Sequence, residues 1–338
     1  MKKVIITGER QAELVEVPTP RPKENWALVK VHVAPMCTEY KAWLAGGRHE
    51  ALGHEAAGEV VEVAQPGRVR VGDRVVVQPL YACGACTYCV SGDYIHCQNV
   101  IDFAAFTGSR EGSATYMQYL LKPDWLLSPI PDDVSYERAS LACCALGPSF
   151  GAFERMNLNA FDTVLITGLG PVGLGAIVNA RYRGARVIAV DSVPYRAERA
   201  LAMGAAAVLD PRDEGTLARI LELTDGRGVD CALDCSGTVA AERLCIDATR
   251  RCGQVAYIGE CNQDLPIRVS PDMIRKGLTI IGNWHYNLNL YPLVMQVIRQ
   301  SPLIDQMVSH VLPMSRVQEA FALCASHQTA KVLLKPWE

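Results

Sequence analysis

Two features are missing from this 338-residue chain: an excess of charge of one sign and a long apolar run. Thirty-three basic residues against 36 acidic ones give a net charge of −3, so no basic excess is present to neutralise the phosphates of a nucleic acid. Hydrophobic residues make up 49% of the chain, more than an intrinsically disordered protein contains. The composition therefore predicts a globular protein that does not bind nucleic acid, and the length predicts about two domains.

Segments that could insert into a membrane are also lacking. Two stretches carry no charge, but glycines interrupt residues 163–180, and Asn, His and Pro interrupt residues 277–298. Neither resembles a spanning helix of about 20 mostly apolar residues. The apolar run after Lys2 and Lys3 is too short for a signal peptide. We therefore expect no membrane association and a cytoplasmic protein, whose thiols stay reduced.

Cysteine, in contrast, is abundant, with 13 residues in the chain. Four of them form a pattern with gaps of two, two and seven residues: Cys83, Cys86, Cys89 and Cys97. Four thiolates this close together can surround one Zn²⁺ and leave no open position, which predicts a structural zinc lobe over residues 83–97. An iron–sulfur cluster is the alternative, but the bacterial ferredoxin pattern ends with a three-residue gap and Cys-Pro, which are absent here.

A glycine-rich turn follows a predicted strand at residues 164–166 and precedes a predicted helix. Its glycines permit a tight turn and a close approach of a pyrophosphate to the helix N-terminus. Asp191 ends the next strand, where a carboxylate binds the adenosine ribose and repels a 2′-phosphate, so NAD is favoured over NADP. Arg196 could moderate that preference. The candidate cofactor-binding residues are Gly168, Gly170, Pro171, Val172, Gly173, Asp191 and Arg196.

The pattern of secondary structure changes along the chain. From Lys3 to about Val77, short strands between Gly and Pro turns predict a small sandwich or barrel. From Thr163 onward, about six strands alternate with helices, which predicts a doubly wound parallel sheet. The fold class is therefore α/β with a preceding β-rich domain, and the chain from about His285 is expected to return to that first domain.

A second candidate metal site involves residues far apart in the sequence. His54 lies 17 residues after Cys37, and the pair Cys143-Cys144 precedes the nucleotide-binding domain. Two thiolates and one imidazole with a fourth position open are the arrangement of a catalytic zinc. Such a site is formally neutral and could bind and stabilise an alkoxide.

Together these motifs resemble the zinc-dependent medium-chain dehydrogenase/reductase family, the group of alcohol, sorbitol and threonine dehydrogenases. The resemblance covers essentially the whole chain and includes Gly53-His54-Glu55, Val71-Gly72-Asp73-Arg74-Val75, the cysteine lobe and the glycine-rich turn. It implies an active site in the cleft between two domains, and a homodimer or homotetramer. The implied domains are a GroES-like catalytic domain over residues 1–149, a Rossmann NAD-binding domain over 150–284, and a return to the catalytic domain over 285–338.

The resemblance also implies roles for individual residues. Cys37 and His54 match the first two ligands of the catalytic zinc, and Glu55 matches a residue that supports the site or acts as an alternative ligand. The third ligand in the family lies 18 residues before the polar residue that opens the first nucleotide-binding strand, here Asp162, which selects Cys144 and leaves Cys143 as a buried neighbour. With the cysteine lobe, the chain is expected to bind two zinc ions.

The chain departs from the family where the proton relay is expected. Family members usually continue after the first ligand with Gly-Ser/Thr-Asp, whereas this chain has Thr38-Glu39-Tyr40. Thr38, Glu39 or water would therefore carry the substrate proton, or Glu39 would only support a zinc ligand. The short interval from Cys37 to His54 and the polar segment 283–287 favour a bulky or polar secondary alcohol.

The sequence thus predicts a zinc-dependent oxidoreductase that transfers hydride between NAD and a secondary alcohol, such as a polyol, a cyclitol, a sugar or an amino sugar. Two alternatives stay open: an NADP-dependent carbonyl reductase, and a zinc-stabilised nucleotide-binding protein without catalytic activity. The other five histidines show no pattern that indicates a partner: His32, His49, His96, His310 and His327.

Overall fold

The computed structural model describes residues 1–338, which form two compact units. The first unit comprises residues 1–144, 287–300 and 308–338, and the second comprises residues 145–286 and 301–307. No helix in the structure is both long enough and apolar enough to cross a membrane.

The units divide at positions slightly different from the predicted ends of the domains at residues 149 and 284. The chain joins the second unit already at Ala145, because a helix of that unit approaches it closely: a β-carbon on Gly175 would lie 1.8 Å from the Ala145 carbonyl oxygen.

The predicted return of residues 285–338 to the first domain is interrupted. Residues 301–307 belong to the second unit, where the guanidinium group of Arg199 donates a hydrogen bond to the carbonyl oxygen of Gln306. This contact joins residues 107 positions apart, so no local pattern in the sequence indicates it.

The first unit contains nine strands, most of them short. They are β1 (Lys2–Gly8), β2 (Gln11–Glu16), β3 (Trp26–Pro35), β4 (Ala56–Val63), β5 (Arg74–Val77), β6 (Tyr119–Pro123), β7 (Leu127–Pro129), β14 (Val308–Pro313) and β15 (Lys331–Lys335). β1 and β2 form a hairpin, and the others form one sheet in the order β14-β15-β3-β4-β5-β7, with β6 also paired to β3. This arrangement confirms the predicted β-rich domain.

Alternation of side chains along β3 builds the core of the first unit. Val29 and Val31 are completely buried and pack in one cluster with Tyr116 and Phe321. Because successive side chains of a strand point to opposite faces, Ala27, Val29 and Val31 contribute alternately to this cluster, and after a register shift of the strand pairing Ala34 does so. The helices of the unit are α1 (Glu39–Ala45), α2 (Thr87–Val90), α3 (Phe103–Thr107), α4 (Tyr136–Ala139), α10 (Tyr291–Gln300) and α11 (Val317–Ala325).

The second unit is a parallel sheet with helices. Its strands are β8 (Thr163–Thr167), β9 (Arg186–Val190), β10 (Ala207–Leu209), β11 (Val229–Asp234), β12 (Thr249–Tyr257) and β13 (Thr279–Gly282), and its helices are α5 (Gly147–Met156), α6 (Pro171–Tyr182), α7 (Pro194–Ala202), α8 (Thr216–Glu222) and α9 (Val239–Ala248). The strand order is β10-β9-β8-β11-β12-β13, and all neighbours are parallel. This order confirms the predicted doubly wound Rossmann fold.

The topology of this sheet indicates where a ligand binds. The chain winds from β8 outward through β9 and β10, and then returns to the other side of β8 with β11. In open α/β sheets, ligands bind outside the carboxyl ends of the strands at such a reversal. The glycine-rich turn that follows β8 lies at this point.

Candidate active site and metal centres

The four cysteines of the lobe lie at the spacing that one zinc ion requires. Their sulfur atoms are 3.9 Å apart for Cys83 and Cys89, 3.5 Å for Cys86 and Cys89, and 3.9 Å for Cys86 and Cys97. A tetrahedron with Zn–S bonds of about 2.3 Å has edges of about 3.8 Å, so the sulfur positions fit a four-thiolate zinc site.

Backbone amides stabilise the thiolate form of two of these cysteines, Cys83 and Cys86, and lower their pKa. The N–H group of Cys86 lies 3.3 Å from the Sγ atom of Cys83. The N–H group of Cys83 lies 3.2 Å from the Sγ atom of Cys97. Backbone hydrogen bonds, first of all the one from Gln98, lower the pKa of Cys86 to about 6. Thiolates are the form that binds metal, so the lobe is prepared for an ion.

The second centre brings together four residues from distant parts of the first unit. The donor atoms of Cys37, His54, Glu55 and Cys144 all lie within 4.8 Å of one another. Cys37 follows β3, His54 and Glu55 immediately precede β4, and Cys144 is the last residue of the first segment of the unit. The pairing of β3 with β4 brings Cys37 close to His54 and Glu55, and the chemistry of the complete set fits a zinc ion.

Cys143 does not belong to this set. Its side chain is completely buried, and its thiol lies 3.5 Å from the carbonyl oxygen of Val77, whereas the Sγ atom of Cys144 lies 3.0 Å from Nε2 of His54. Burial is the main cause that raises the pKa of the Cys143 thiol, and the thiol therefore stays neutral. The two adjacent cysteines thus have different environments.

Glu39 orients the metal-binding groups. Nδ1 of His54 lies 2.9 Å from one oxygen of Glu39, and the other oxygen accepts hydrogen bonds from the backbone N–H of Cys37 at 3.0 Å and from the hydroxyl of Tyr116 at 2.8 Å. Burial alone would raise the pKa of Glu39, but the hydrogen bond and charge of His54 lower it to about 2. An ionised Glu39 accepts the Nδ1 proton and leaves Nε2 as the ligand atom.

Glu55 is held by a lysine that the sequence analysis did not identify. Nζ of Lys331 lies 2.6 Å from one carboxylate oxygen of Glu55, and both side chains are completely buried. The other oxygen accepts a hydrogen bond from the backbone N–H of Cys144 at 3.2 Å. Burial would lower the pKa of Lys331, but the charge of Glu55 raises it, so that the lysine stays protonated. The two residues are 276 positions apart, so no sequence pattern could indicate the pair.

Thr38 has a different position from Glu39. It is exposed at the start of α1, and its side chain makes no capping hydrogen bond to the helix. Two residues are candidates for the proton relay. The hydroxyl of Thr38 does not cap the helix, whereas both carboxylate oxygens of Glu39 accept hydrogen bonds.

The glycine-rich turn of the second unit leaves room for a ligand. Gly168 has φ of +80°, and a β-carbon on Gly173 would lie 1.9 Å from the carbonyl oxygen of Gly168. In contrast, a β-carbon on Gly170 would meet only the guanidinium group of Arg196, at 3.9 Å. Pro171 and Val172 then begin α6. The turn thus combines close packing at Gly173 with an open approach at Gly170, which fits a dinucleotide.

Asp191 lies directly after β9 and contacts this turn. Its carboxylate accepts hydrogen bonds from the backbone N–H groups of Leu169 at 2.6 Å and Val193 at 2.8 Å. Nη1 of Arg196 lies 3.8 Å from the same carboxylate. The acid and the arginine that the sequence suggested are therefore neighbours at the carboxyl edge of the sheet.

The polar segment 283–287 is used mainly by the fold. The side-chain amide of Asn283 donates to the carbonyl oxygens of Pro148 and His285, at 2.9 and 2.8 Å. The amide of Asn287 donates to a carboxylate oxygen of Asp93 in the cysteine lobe, at 2.9 Å. Both amides thus take part in tertiary contacts, and the role of this segment in substrate binding stays a prediction.

Comparison with known proteins agrees with this architecture. The family model described as "Alcohol dehydrogenase GroES-like domain" matches residues 23–132, and the one described as "Zinc-binding dehydrogenase" matches residues 171–300. Among solved structures, the alcohol dehydrogenase TADH from Thermus sp. ATN1 is similar with a TM-score of 0.89 at 28% identity, and 99% of each chain is covered.

Two curated relatives extend over nearly the whole chain. The chain is 32% identical to an uncharacterized zinc-type alcohol dehydrogenase-like protein of Escherichia coli, with 97% of each protein covered. It is 30% identical to a sorbitol dehydrogenase of Bacillus subtilis, with 99% of this chain and 97% of the relative covered. These similarities identify an oxidoreductase of the alcohol dehydrogenase type. The chain belongs to the zinc-dependent medium-chain dehydrogenase/reductase family.

Proposed function

We propose that this protein is an NAD-dependent zinc dehydrogenase that oxidises a secondary hydroxyl group of a polyol, a cyclitol or a sugar. One observation carries the proposal: the donor atoms of Cys37, His54, Glu55 and Cys144 converge within 4.8 Å, and Glu39 orients the imidazole. Three ligands with a position open for substrate are typical of a catalytic zinc. The four-thiolate lobe would hold a second, structural ion.

The residues at this centre have two kinds of role: some would bind the metal, and others orient the residues that bind it. When bound, zinc supplies a Lewis acid that lowers the pKa of the substrate hydroxyl, and NAD supplies the hydride acceptor. Cys37, His54 and Cys144 would hold the metal, and Glu39 keeps the Nε2 atom of His54 directed at it. Lys331 holds Glu55 beside the ligands.

The substrate proton needs a route to solvent. Both oxygens of Glu39 already accept hydrogen bonds within the site, so its geometry favours a positioning role. We therefore assign the proton transfer to the exposed Thr38 hydroxyl or to water. The three hydrogen bonds that Glu39 accepts within the site favour uncharged polyols and sugars over amino sugars, since they already stabilise the carboxylate that would pair with an ammonium group.

The cofactor preference follows from Asp191. Its carboxylate sits beside the turn that would bind the pyrophosphate, where it can accept hydrogen bonds from ribose hydroxyls and repel a 2′-phosphate. Arg196 lies close enough to pair with Asp191, so its positive charge is already partly neutralised. NAD is therefore favoured over NADP.

Two further features support the proposal. The relative from Bacillus subtilis is named a sorbitol dehydrogenase, which favours a polyol, whereas the structural neighbour from Thermus is named an alcohol dehydrogenase.

All 13 cysteines are free, which suits the reducing compartment expected from the sequence. The homodimer or homotetramer stays a prediction.

A substrate screen combined with metal analysis tests the proposal. The purified chain should contain two zinc ions and reduce NAD, but not NADP, with a panel of polyols, cyclitols and sugars, followed by NADH absorbance. Cys144→Ser should retain one zinc ion and lose activity, because the catalytic centre loses a ligand. Cys252→Ser removes an exposed cysteine and is the matched control, expected to retain both ions.

Three outcomes would contradict the proposal. Activity with ethanol or hydrophobic alcohols alone would exclude the polyol assignment. A preference for NADPH with carbonyl substrates would indicate a reductase. One zinc ion per chain with no turnover would indicate a nucleotide-binding protein without catalysis.

A further inference from the structure

We propose that Tyr94 and Gln78 are positioning residues that couple the cysteine lobe to Cys144 through the thiol of Cys143. The inference rests on the proposed function in one respect, the assignment of Cys144 as a ligand of the catalytic metal. Cys143, which has no part in the proposed reaction, thereby acquires a positioning role. The cysteine lobe would then influence the geometry of the catalytic metal site in addition to stabilising the fold.

The connection begins inside the cysteine lobe. Tyr94 lies in the chain segment between the lobe cysteines Cys89 and Cys97, and its side chain is completely buried. Its ring packs in a cluster with Cys89 and Leu126. Its hydroxyl group donates a hydrogen bond of 3.1 Å to Oε1 of Gln78. Because the ring packs against a lobe cysteine, we expect metal binding by the lobe to determine the position of this hydroxyl group.

Gln78 carries the connection from the lobe to the sheet. It directly follows β5 and is completely buried, and its backbone N–H donates to the carbonyl oxygen of Leu126 at 2.9 Å. Its side-chain amide donates to the hydroxyl of Ser128 at 3.0 Å. A buried amide needs hydrogen bonds at both ends, because an unsatisfied polar group in the interior costs about 1–3 kcal/mol. The orientation of Gln78 is thereby restricted.

Cys143 is the last member of the connection. Its Sγ atom lies 3.8 Å from Oε1 of Gln78 and 3.5 Å from the carbonyl oxygen of Val77. The thiol is completely buried, and these two carbonyl-type oxygens are the acceptors that its single S–H proton can reach. These contacts attach the peptide that leads directly into Cys144 to the end of β5.

The position of Cys144 is therefore determined from two sides. Its own N–H group binds the carboxylate of Glu55, and the preceding residue is bound by Gln78. A displacement of Tyr94 would reorient the Gln78 amide, release the Cys143 thiol and allow the Cys144 sulfur to move. Partners that orient a metal ligand commonly change metal affinity by about 10- to 100-fold, and a partner further away should change it less.

Metal binding by the full-length Tyr94→Phe variant tests the coupling. The substitution removes only the hydroxyl group and retains the buried ring. We expect the dissociation constant of the catalytic metal, measured by competition with a chelator, to rise about 3- to 10-fold while the lobe retains its metal. The absorption spectrum of cobalt(II) at the site with two sulfur ligands should also change, a readout that a loss of stability alone would not alter.

Further variants sharpen the test. Tyr257→Phe removes a tyrosine hydroxyl hydrogen-bonded to a backbone carbonyl of the second unit and should leave both metal affinities unchanged. Cys143→Ala should reproduce the effect of Tyr94→Phe, whereas Cys143→Ser keeps a donor and should restore the affinity in large part. Gln78→Leu removes both ends of the amide and should have the largest effect.

The possible failures are distinguishable. An unchanged dissociation constant and an unchanged cobalt spectrum in Tyr94→Phe would overturn the coupling, as would loss of the lobe metal without any change at the catalytic centre. If the unmodified protein binds only one metal ion, the proposed function fails together with the coupling. If it binds two ions and reduces NAD, but Tyr94→Phe has no effect, only the coupling fails.

Discussion

At the residue scale, Asp191 is the residue that we expect to determine the choice between NAD and NADP in the proposed function. It holds the turn through Leu169 and lies 3.8 Å from the Arg196 guanidinium group. Its charge therefore acts on the cofactor and on the arginine at once. Removal of that charge would eliminate the repulsion of a 2′-phosphate and leave Arg196 available to bind it.

We expect Asp191→Ser to change the cofactor preference towards NADP. The ratio of kcat/KM for NAD to that for NADP should fall about 10- to 100-fold, which corresponds to about 1.4–2.8 kcal/mol. Steady-state kinetics with both cofactors measure this ratio. Asp162→Ser, at the amino end of β8, is the control, since that end of the strand is opposite to the glycine-rich turn. An unchanged ratio in Asp191→Ser would show that Asp191 does not determine the preference.

At the level of elements, the turn between β8 and α6 depends on close backbone packing. A β-carbon on Gly173 would lie 1.9 Å from the carbonyl oxygen of Gly168, a distance that no side chain can occupy. The start of α6 would have to move away from the end of β8. Such a displacement separates the helix N-terminus from the position of the pyrophosphate.

Gly173→Ala should therefore weaken NADH binding more than tenfold. Gly215→Ala is the matched control, because a β-carbon at Gly215 meets no atom within 4 Å, and its φ of −82° suits alanine. Fluorescence titration with NADH measures both dissociation constants. Binding by Gly173→Ala as tight as that of the unmodified chain would mean that the turn does not hold the cofactor.

Across the whole molecule, both candidate metal centres lie in the first unit. The second unit has a core of its own around Leu165, Ala232 and Val255, all completely buried. Structural zinc sites contribute directly to folding free energy. The stability of the two units should therefore respond differently to metal.

Metal removal by a chelator should affect one unit selectively. We expect faster amide hydrogen exchange in residues 83–97 and in β5, with little change in β8 and β11. Hydrogen–deuterium exchange with peptide resolution measures the difference, and readdition of zinc should reverse it. Equal loss of protection in both units would contradict the assignment of the metals to the first unit.

Features that depend on local spacing can be predicted from the amino-acid sequence alone. Cysteines within one short loop necessarily lie close together, so Cys83 to Cys97 predict a metal site without knowledge of the fold. A glycine-rich turn between a strand and a helix similarly specifies its own backbone, and periodicity specifies the parallel sheet. The resemblance to a family added the set Cys37, His54 and Cys144, whose members are too far apart for spacing alone.

Several contacts between residues distant in the chain are apparent only in the folded structure. Lys331 binds Glu55, Tyr116 binds Glu39 and Tyr94 binds Gln78, and none of these pairs carries a local signal. Another such contact joins Asn287 to Asp93 of the lobe. The physical reason is that a buried polar group must find a partner wherever the fold brings one. The packing of the folded chain, not sequence distance, determines which residue that is.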